Sequence, residues 1–149
     1  MVTTVLCYIE KNDSYLMLLK NKRKNDYNKN KWVGVGGHLL DGESIDDCLL
    51  REVYEETGLK LLDYKHRGIV YFYNDDYKEK MYLFTSSSFS GNLIDCDEGE
   101  LKYVLKKNIF DLPTWEGDKY FLEKLLNNDD YFEMILHYKN NKFEGCENL

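Results

Sequence analysis

Gly37-His-Leu-Leu-Asp-Gly-Glu-Ser-Ile-Asp-Asp-Cys-Leu-Leu-Arg-Glu-Val-Tyr-Glu-Glu-Thr-Gly-Leu59 is the stretch on which the reading of this chain turns. Asp41-Gly42 makes a turn, and Ser44 has the short side-chain oxygen that caps a helix by accepting from a first-turn N–H. Asp46 and Asp47 suit the positive end of that helix, and Gly58 stands at the C′ position where a left-handed residue stops it. At about 100° per residue, Ile45, Cys48, Leu49, Glu52, Glu55 and Glu56 share one arc. Three carboxylates therefore lie on the face that Ile45 and Leu49 would bury. Like charges at this spacing repel by only ~0.3 kcal/mol on an open surface, but the repulsion climbs as water is excluded. A divalent cation removes the conflict. Ligands that are all oxygen suit Mg²⁺ or Mn²⁺ better than zinc, which prefers nitrogen and sulfur. Arg51, one turn before Glu55, can hold that carboxylate in place. His38, beside a glycine turn, reads as a hydrogen-bonded loop residue rather than a ligand.

On the N-terminal side, Lys31-Trp-Val-Gly-Val-Gly-Gly37 is a short buried strand ending in glycines, where backbone can approach a ligand closely. Before it, Val2–Glu10 and Tyr15–Leu19 read as the strands of a hairpin around Asn12-Asp13-Ser14. Lys20–Lys31 is basic and aperiodic, a surface loop that is either a solvated connection or a phosphate-facing one. On the C-terminal side, Tyr64–Asn74 and Glu79–Phe89 alternate apolar and polar residues around Asn74-Asp75-Asp76, which predicts a second hairpin. Gly91–Glu100 is acidic and irregular, and Leu101–Leu105 is a short strand. Asn108–Leu112 is a helical turn stopped by Pro113, and Glu116 or Gly117 opens a final helix marked by Tyr120, Phe121, Lys124 and Leu125. Tyr131–Tyr138 is a last strand, after which Asn140-Asn141 leads into a short frayed tail.

The 149 residues fit one domain, 1–149, with a substantial core. A net charge of −7 argues against a nucleic-acid polymer as partner. It leaves room for a small phosphorylated molecule if metal ions or a local basic patch reverse the field. No apolar run has membrane-spanning length, and Met1-Val-Thr-Thr-Val-Leu-Cys lacks the basic start of a signal peptide, so a cytoplasmic protein without membrane contact is expected. Cys7, Cys48, Cys96 and Cys146 are scattered, with no zinc spacing, and read as reduced thiols.

The spacing Gly37-x5-Glu43-x7-Arg51-Glu52-Val53-x-Glu55-Glu56-x-Gly58-Leu59 resembles a complete Nudix box, the motif of hydrolases acting on nucleoside diphosphates linked to another moiety. The resemblance implies an α/β fold, a Nudix-type α/β/α sandwich with a central mixed β-sheet. It implies that Glu52 and Glu56 are metal ligands, joined by the carbonyl of Gly36 and helped by Glu55, with Glu43 bracing the loop against the helix. Such proteins commonly add one carboxylate from a later loop. Here Glu98 and Glu100 are the candidates, and Glu100 is preferred because it directly precedes a strand. The implied chemistry is attack of a metal-activated water on a diphosphate bridge, with Glu55, Glu56 and Glu100 all eligible as the base.

Two further segments resemble the members that remove oxidised nucleotides such as 8-oxo-dGTP from the pool, the MutT-like subgroup. They are the Trp32-Val33-Gly34-Val35-Gly36-Gly37 run and Leu112-Pro113-Thr114-Trp115-Glu116-Gly117-Asp118. By that resemblance Trp115 stacks on a base, Glu116 or Asp118 reads its edge, and Arg23 contacts phosphate. Trp115 has an alternative as a core anchor. Val33 departs from the asparagine found at this position in the animal enzymes, which puts sharp discrimination in doubt. Three functions stay open: a nucleoside triphosphate pyrophosphohydrolase releasing monophosphate and pyrophosphate; a Nudix hydrolase of ADP-ribose, a dinucleoside polyphosphate or a nucleotide sugar; and a non-catalytic nucleotide sensor. The partner in each is a small nucleotide, and the protein is expected to be a monomer or homodimer.

Overall fold

Strict alternation along the strands gives the central sheet two apolar faces. In Tyr15-Leu16-Met17-Leu18, Tyr15 and Met17 belong to one buried cluster and Leu16 and Leu18 to the other. Each face must be covered, and the sequence supplies one amphipathic helix for each. The computed structural model describes residues 1–149 and shows this arrangement.

Strands β1 (Val2–Lys11) and β2 (Ser14–Leu19) form a hairpin whose Asn12 and Asp13 take φ of 50° and 60°. There follow β3 (Trp32–Val33), β4 (Val35–His38), α1 (Ile45–Thr57), β5 (Lys60–Asn74), β6 (Tyr77–Ser90), β7 (Glu100–Leu105), a 3₁₀ turn (Lys106–Asp111), α2 (Asp118–Leu126), β8 (Phe132–Lys139) and β9 (Lys142–Asn148). The sheet runs β3-β2-β1-β6-β5-β8-β9, with β4 also on β1 and β7 also on β2. Pairings β1–β6 and β5–β8 are parallel and the others antiparallel, so the sheet is mixed. Helix α1 buries Cys48, Leu49 and Val53 against Val5, Cys7, Ile9, Leu16 and Leu18. Helix α2 buries Phe121, Leu122 and Leu125 against Met17, Val70, Phe72, Leu83 and Met134. This is the expected α/β/α sandwich.

Three elements differ from the reading above. The single strand expected over Lys31–Gly37 is divided at Gly34: β3 pairs with β2, whereas β4 pairs with β1. The chain crosses between them where a Cβ on Gly34 would lie 2.9 Å from the Cys7 carbonyl oxygen. The frayed tail is instead β9, because Asn140 and Asn141 adopt φ of 49° and 65° and close a tight hairpin onto β8. Strand β5 starts at Lys60 rather than at Tyr64, while the last helix opens at Gly117, its N-cap, one of the two positions expected. No helix is long and apolar enough to cross a membrane.

Leu49 is fully buried between α1 and the sheet. Its replacement by alanine is expected to destabilise the fold by about 2–5 kcal/mol, read from urea denaturation at constant m-value.

Candidate active site

The caps of α1 are formed as its sequence requires. Ser44 Oγ accepts from Asp47 N–H at 3.1 Å, and Gly58 at φ 78° returns its N–H to the Tyr54 carbonyl. The helix then lies directly on β4. A Cβ on Gly36 would sit 1.9 Å from the Val5 carbonyl oxygen, and one on Gly37 would sit 2.3 Å from Glu52 Oε2. The glycines thus let backbone and carboxylates share the space between strand and helix.

Arg51 organises the acids around it. Its Nε and Nη2 donate to the two oxygens of Glu43 at 2.7 and 3.0 Å, and Nη1 donates to Glu52 at 2.8 Å and Glu55 at 3.1 Å. Nη2 also reaches the His38 carbonyl at 3.1 Å, tying the preceding loop to the helix. The Arg51 hydrogen bonds hold the Glu43 carboxyl down at about 2. Glu43 therefore braces loop against helix, and Arg51 holds not only Glu55 but Glu52 as well.

Glu56 is buried and accepts from the Gly36 N–H at 2.7 Å. This contact is with the amide of Gly36, on the strand that pairs with β1 opposite Leu6. Burial first, then the neighbouring Glu98 carboxyl, raises the Glu56 pKa. Burial works upward on Glu98 as well, but hydrogen bonds from Glu56 and Lys20 and the charges of Lys20 and Arg23 bring it below the ordinary value. Of the two carboxyls, Glu56 is the one pushed upward and Glu98 the one held down. On Glu52, burial outweighs the Arg51 bond and the pKa is raised.

Glu98, not the expected Glu100, is the loop acid that enters the cleft. Glu100 is exposed as the first residue of β7 opposite Leu19, where it accepts from Asn21 Nδ2 at 3.3 Å. The Cys96–Gly99 bridge closes a tight turn, and Gly99 packs so near the Leu19 carbonyl that a Cβ would stand 1.7 Å from it. That turn folds Glu98 back under Lys20, which pairs with both Glu98 and Asp26. Proximity to the strand was the wrong guide, because the turn reverses the chain just before it.

Glu52, Glu55, Glu56 and Glu98 line a cleft of about 690 Å³, with Gly36, Lys20 and Arg23. Val33, Tyr27, Phe72, Tyr77, Glu79, Trp115 and Asp118 line the same cleft. The Arg23 side chain is 60% exposed and 3.8 Å from Glu98. Trp115 is buried, donates from Nε1 to Asn28 Oδ1 at 2.7 Å, stacks on Tyr27 at 5.6 Å, and has Lys31 Nζ 4.6 Å from its ring centroid. It anchors the basic loop and lines the cleft. Glu116 is exposed and outside the cleft, since the turn that buries Trp115 and Asp118 points the residue between them outward. Asp118 is buried, and burial, reinforced by Glu79 and opposed by Lys31, pushes its carboxyl up to about 8. Sequence reasoning did not single out Glu79, and it took Lys20 and Tyr27 only as part of the basic loop Lys20–Lys31.

The NUDIX domain model matches residues 2–125. The chain belongs to the Nudix family. It is similar to the uncharacterised Nudix hydrolase YvcI of Bacillus subtilis, 29% identical over 80% of this chain and 76% of that one. An 8-oxo-dGTP diphosphatase of Buchnera aphidicola is 30% identical over 71% of this chain and 79% of its own. The MutT protein of Bacillus halodurans superposes with a TM-score of 0.88 at 24% identity, covering 99% of this chain and 97% of that one, and shares the fold. With an intact box on that fold, the protein is an enzyme of the Nudix pyrophosphohydrolase type, acting on a small nucleotide.

Nudix hydrolases generally use divalent metal ions. In the arrangement described, no three of the acids converge closely enough to hold an ion. The donor set fits one nonetheless: it is all oxygen, and Glu56 and Glu98 compete for a proton in a place where a dication can replace it.

Two outcomes follow. Glu98→Gln is expected to lower kcat at least tenfold, whereas Glu100→Gln leaves it within about twofold; steady-state kinetics of the two variants decide between these positions. Because Asp118 in the folded chain keeps its proton far above the ordinary carboxylate range, the folded state binds more protons than the unfolded one between about pH 4 and about 8. Stability from this group is fully present below that window and is lost as pH rises through it. Asp118→Asn should remove the decline, measured by thermal melting across the window.

Proposed function

We propose that this protein is one Nudix domain, 1–149, that hydrolyses a purine nucleoside triphosphate to nucleoside monophosphate and pyrophosphate with Mg²⁺. The observation that carries the reading is a single cleft lined by two groups of contacting residues: acids with Lys20 and Arg23 beside them, and aromatic rings with Glu79 and Asp118. A triphosphate carries four negative charges on a flexible chain, so it needs cations beside the acids and a flat apolar surface for its base. The names of relatives in Buchnera aphidicola and Mus musculus, an 8-oxo-dGTP diphosphatase and an oxidized purine nucleoside triphosphate hydrolase, support an oxidised purine as substrate.

Glu52, Glu56 and Glu98 would hold the metal, which supplies a lowered water pKa and neutralises phosphate oxygens. Lys20 and Arg23 bind phosphate oxygens; release of Lys20 from Glu98 on loading frees its ammonium for that contact. Arg51 fixes Glu52 and Glu55 in rotamers that face the cleft. Glu55, whose side chain is 56% exposed at the rim, is placed to take the proton of the attacking water. Water oxygen joins phosphorus, the bridging P–O bond breaks, and the leaving oxygen departs with pyrophosphate.

The test incubates the protein with Mg²⁺ and a panel of ordinary and oxidised nucleoside triphosphates, ADP-ribose and dinucleoside polyphosphates, and resolves the products. Monophosphate plus pyrophosphate from a purine triphosphate is expected, and Glu56→Gln, which keeps an acceptor for Gly36 N–H, should lower turnover by roughly a hundredfold or more without changing the melting temperature much. Cleavage confined to ADP-ribose or dinucleoside polyphosphates would overturn the substrate reading.

A further inference from the structure

One acid of the cleft has no part in the reaction proposed above. Glu79, half-buried on β6, accepts from Thr4 Oγ1 at 2.7 Å through Oε2 and from Tyr77 Oη at 2.6 Å through Oε1. Thr4 comes from β1, and the Tyr77 ring is itself stacked on Tyr27 at 5.0 Å. A carboxylate whose two oxygens both accept from hydroxyls is fixed in orientation and acts as an acceptor only. Each oxygen keeps a second acceptor direction, so Glu79 still offers two adjacent acceptors to the cleft it lines.

Asp118 lines the same cleft from the start of α2. Burial and the charge of Glu79 keep its proton on near neutral pH, which makes it a donor. One donor and two adjacent acceptors, set among Tyr27, Phe72 and Met81, form a defined pattern. A guanine edge presents one carbonyl and two neighbouring N–H groups, whereas an adenine edge presents a single N–H donor and a ring nitrogen.

Resting on the reading of this cleft as a nucleotide site, we propose that Glu79 is a specificity-determining residue: clamped by Thr4 and Tyr77 in the cleft it shares with Asp118, it selects bases of the guanine pattern over those of the adenine pattern. Adenine would leave one buried acceptor of Glu79 unpaired, and a site built for a hydrogen bond rejects the analogue that lacks it.

Calorimetric titration with dGMP and with dAMP tests this on the full chain in Mg²⁺ buffer. Wild-type protein is expected to bind dGMP roughly tenfold or more tightly than dAMP. Glu79→Gln, which puts an amide donor where an N–H must be accepted, should bring the ratio close to one. Tyr77→Phe keeps the ring stacking and removes one clamp hydroxyl, and should lower the ratio by about threefold. Equal binding of the two nucleotides by the wild type, or binding of neither, overturns the proposal, as does an unchanged ratio in Glu79→Gln that melts like the wild type. If Glu79→Gln does not fold, Tyr77→Phe decides, and an unchanged ratio there overturns it. Retained dGMP preference in a protein that releases no pyrophosphate from any triphosphate would instead sink the reaction reading and leave the role of Glu79 standing.

Discussion

The closeness of β4 to α1 is the constraint from which the rest of the site follows. Gly36 is so near the β1 backbone, and Gly37 so near the Glu52 carboxylate, that any side chain at either position displaces something. With two glycines there, Glu56 reaches the Gly36 N–H from the buried side of the helix, and Glu52 stays near enough to Arg51 to be held. A helix packed at ordinary side-chain distance would leave the same acids in water, where their mutual repulsion and their protonation would both be unremarkable.

That approach works only because the helix ends are fixed and the sheet beneath is rigid. Ser44 and Gly58 set where α1 begins and stops, and Cys48, Leu49 and Val53 key it to β1 and β2. Cys48 also lies against the loop that Arg51 ties down through the His38 carbonyl. The guanidinium is thus a hub with Glu43, Glu52, Glu55 and a backbone carbonyl on its donors, which Lys, with a single point charge, cannot reproduce.

Local signals explain what could be read in the sequence and what could not. Ser44, Gly58 and the Asn12-Asp13 and Asn74-Asp75-Asp76 turns act within a few residues of themselves, so α1 and both long hairpins were legible. Glu52 and Glu56 were legible because helical period places them towards the sheet, whereas Glu55, expected on the same buried face, is exposed at the rim. Glu98 was not legible, since its placement depends on the contact of Gly99 with Leu19, eighty residues away in sequence. Glu79 was hidden by its strand, where it reads as one more polar residue in alternation until Thr4 and Tyr77 are seen to hold it. Strand β9 carries no such signal, because Gly145 and the run of polar residues around it lack a period, and the Asn140-Asn141 turn geometry returns the chain to β8.

The basic loop joins the two groups of residues that line the cleft. It leaves β2 at Lys20, which is bound to Glu98 beside the acids, and it re-enters the sheet after Asn28 and Lys31 have both engaged Trp115. Tyr27 between these points lies on Tyr77, the residue that clamps Glu79. One segment thus touches Glu98 through Lys20 and the Tyr77–Glu79 pair through Tyr27. The loop that composition alone left as either a solvated connection or a phosphate-facing one is thus built into the cleft wall, tied to Glu98 through Lys20 and to Trp115 through Asn28 and Lys31.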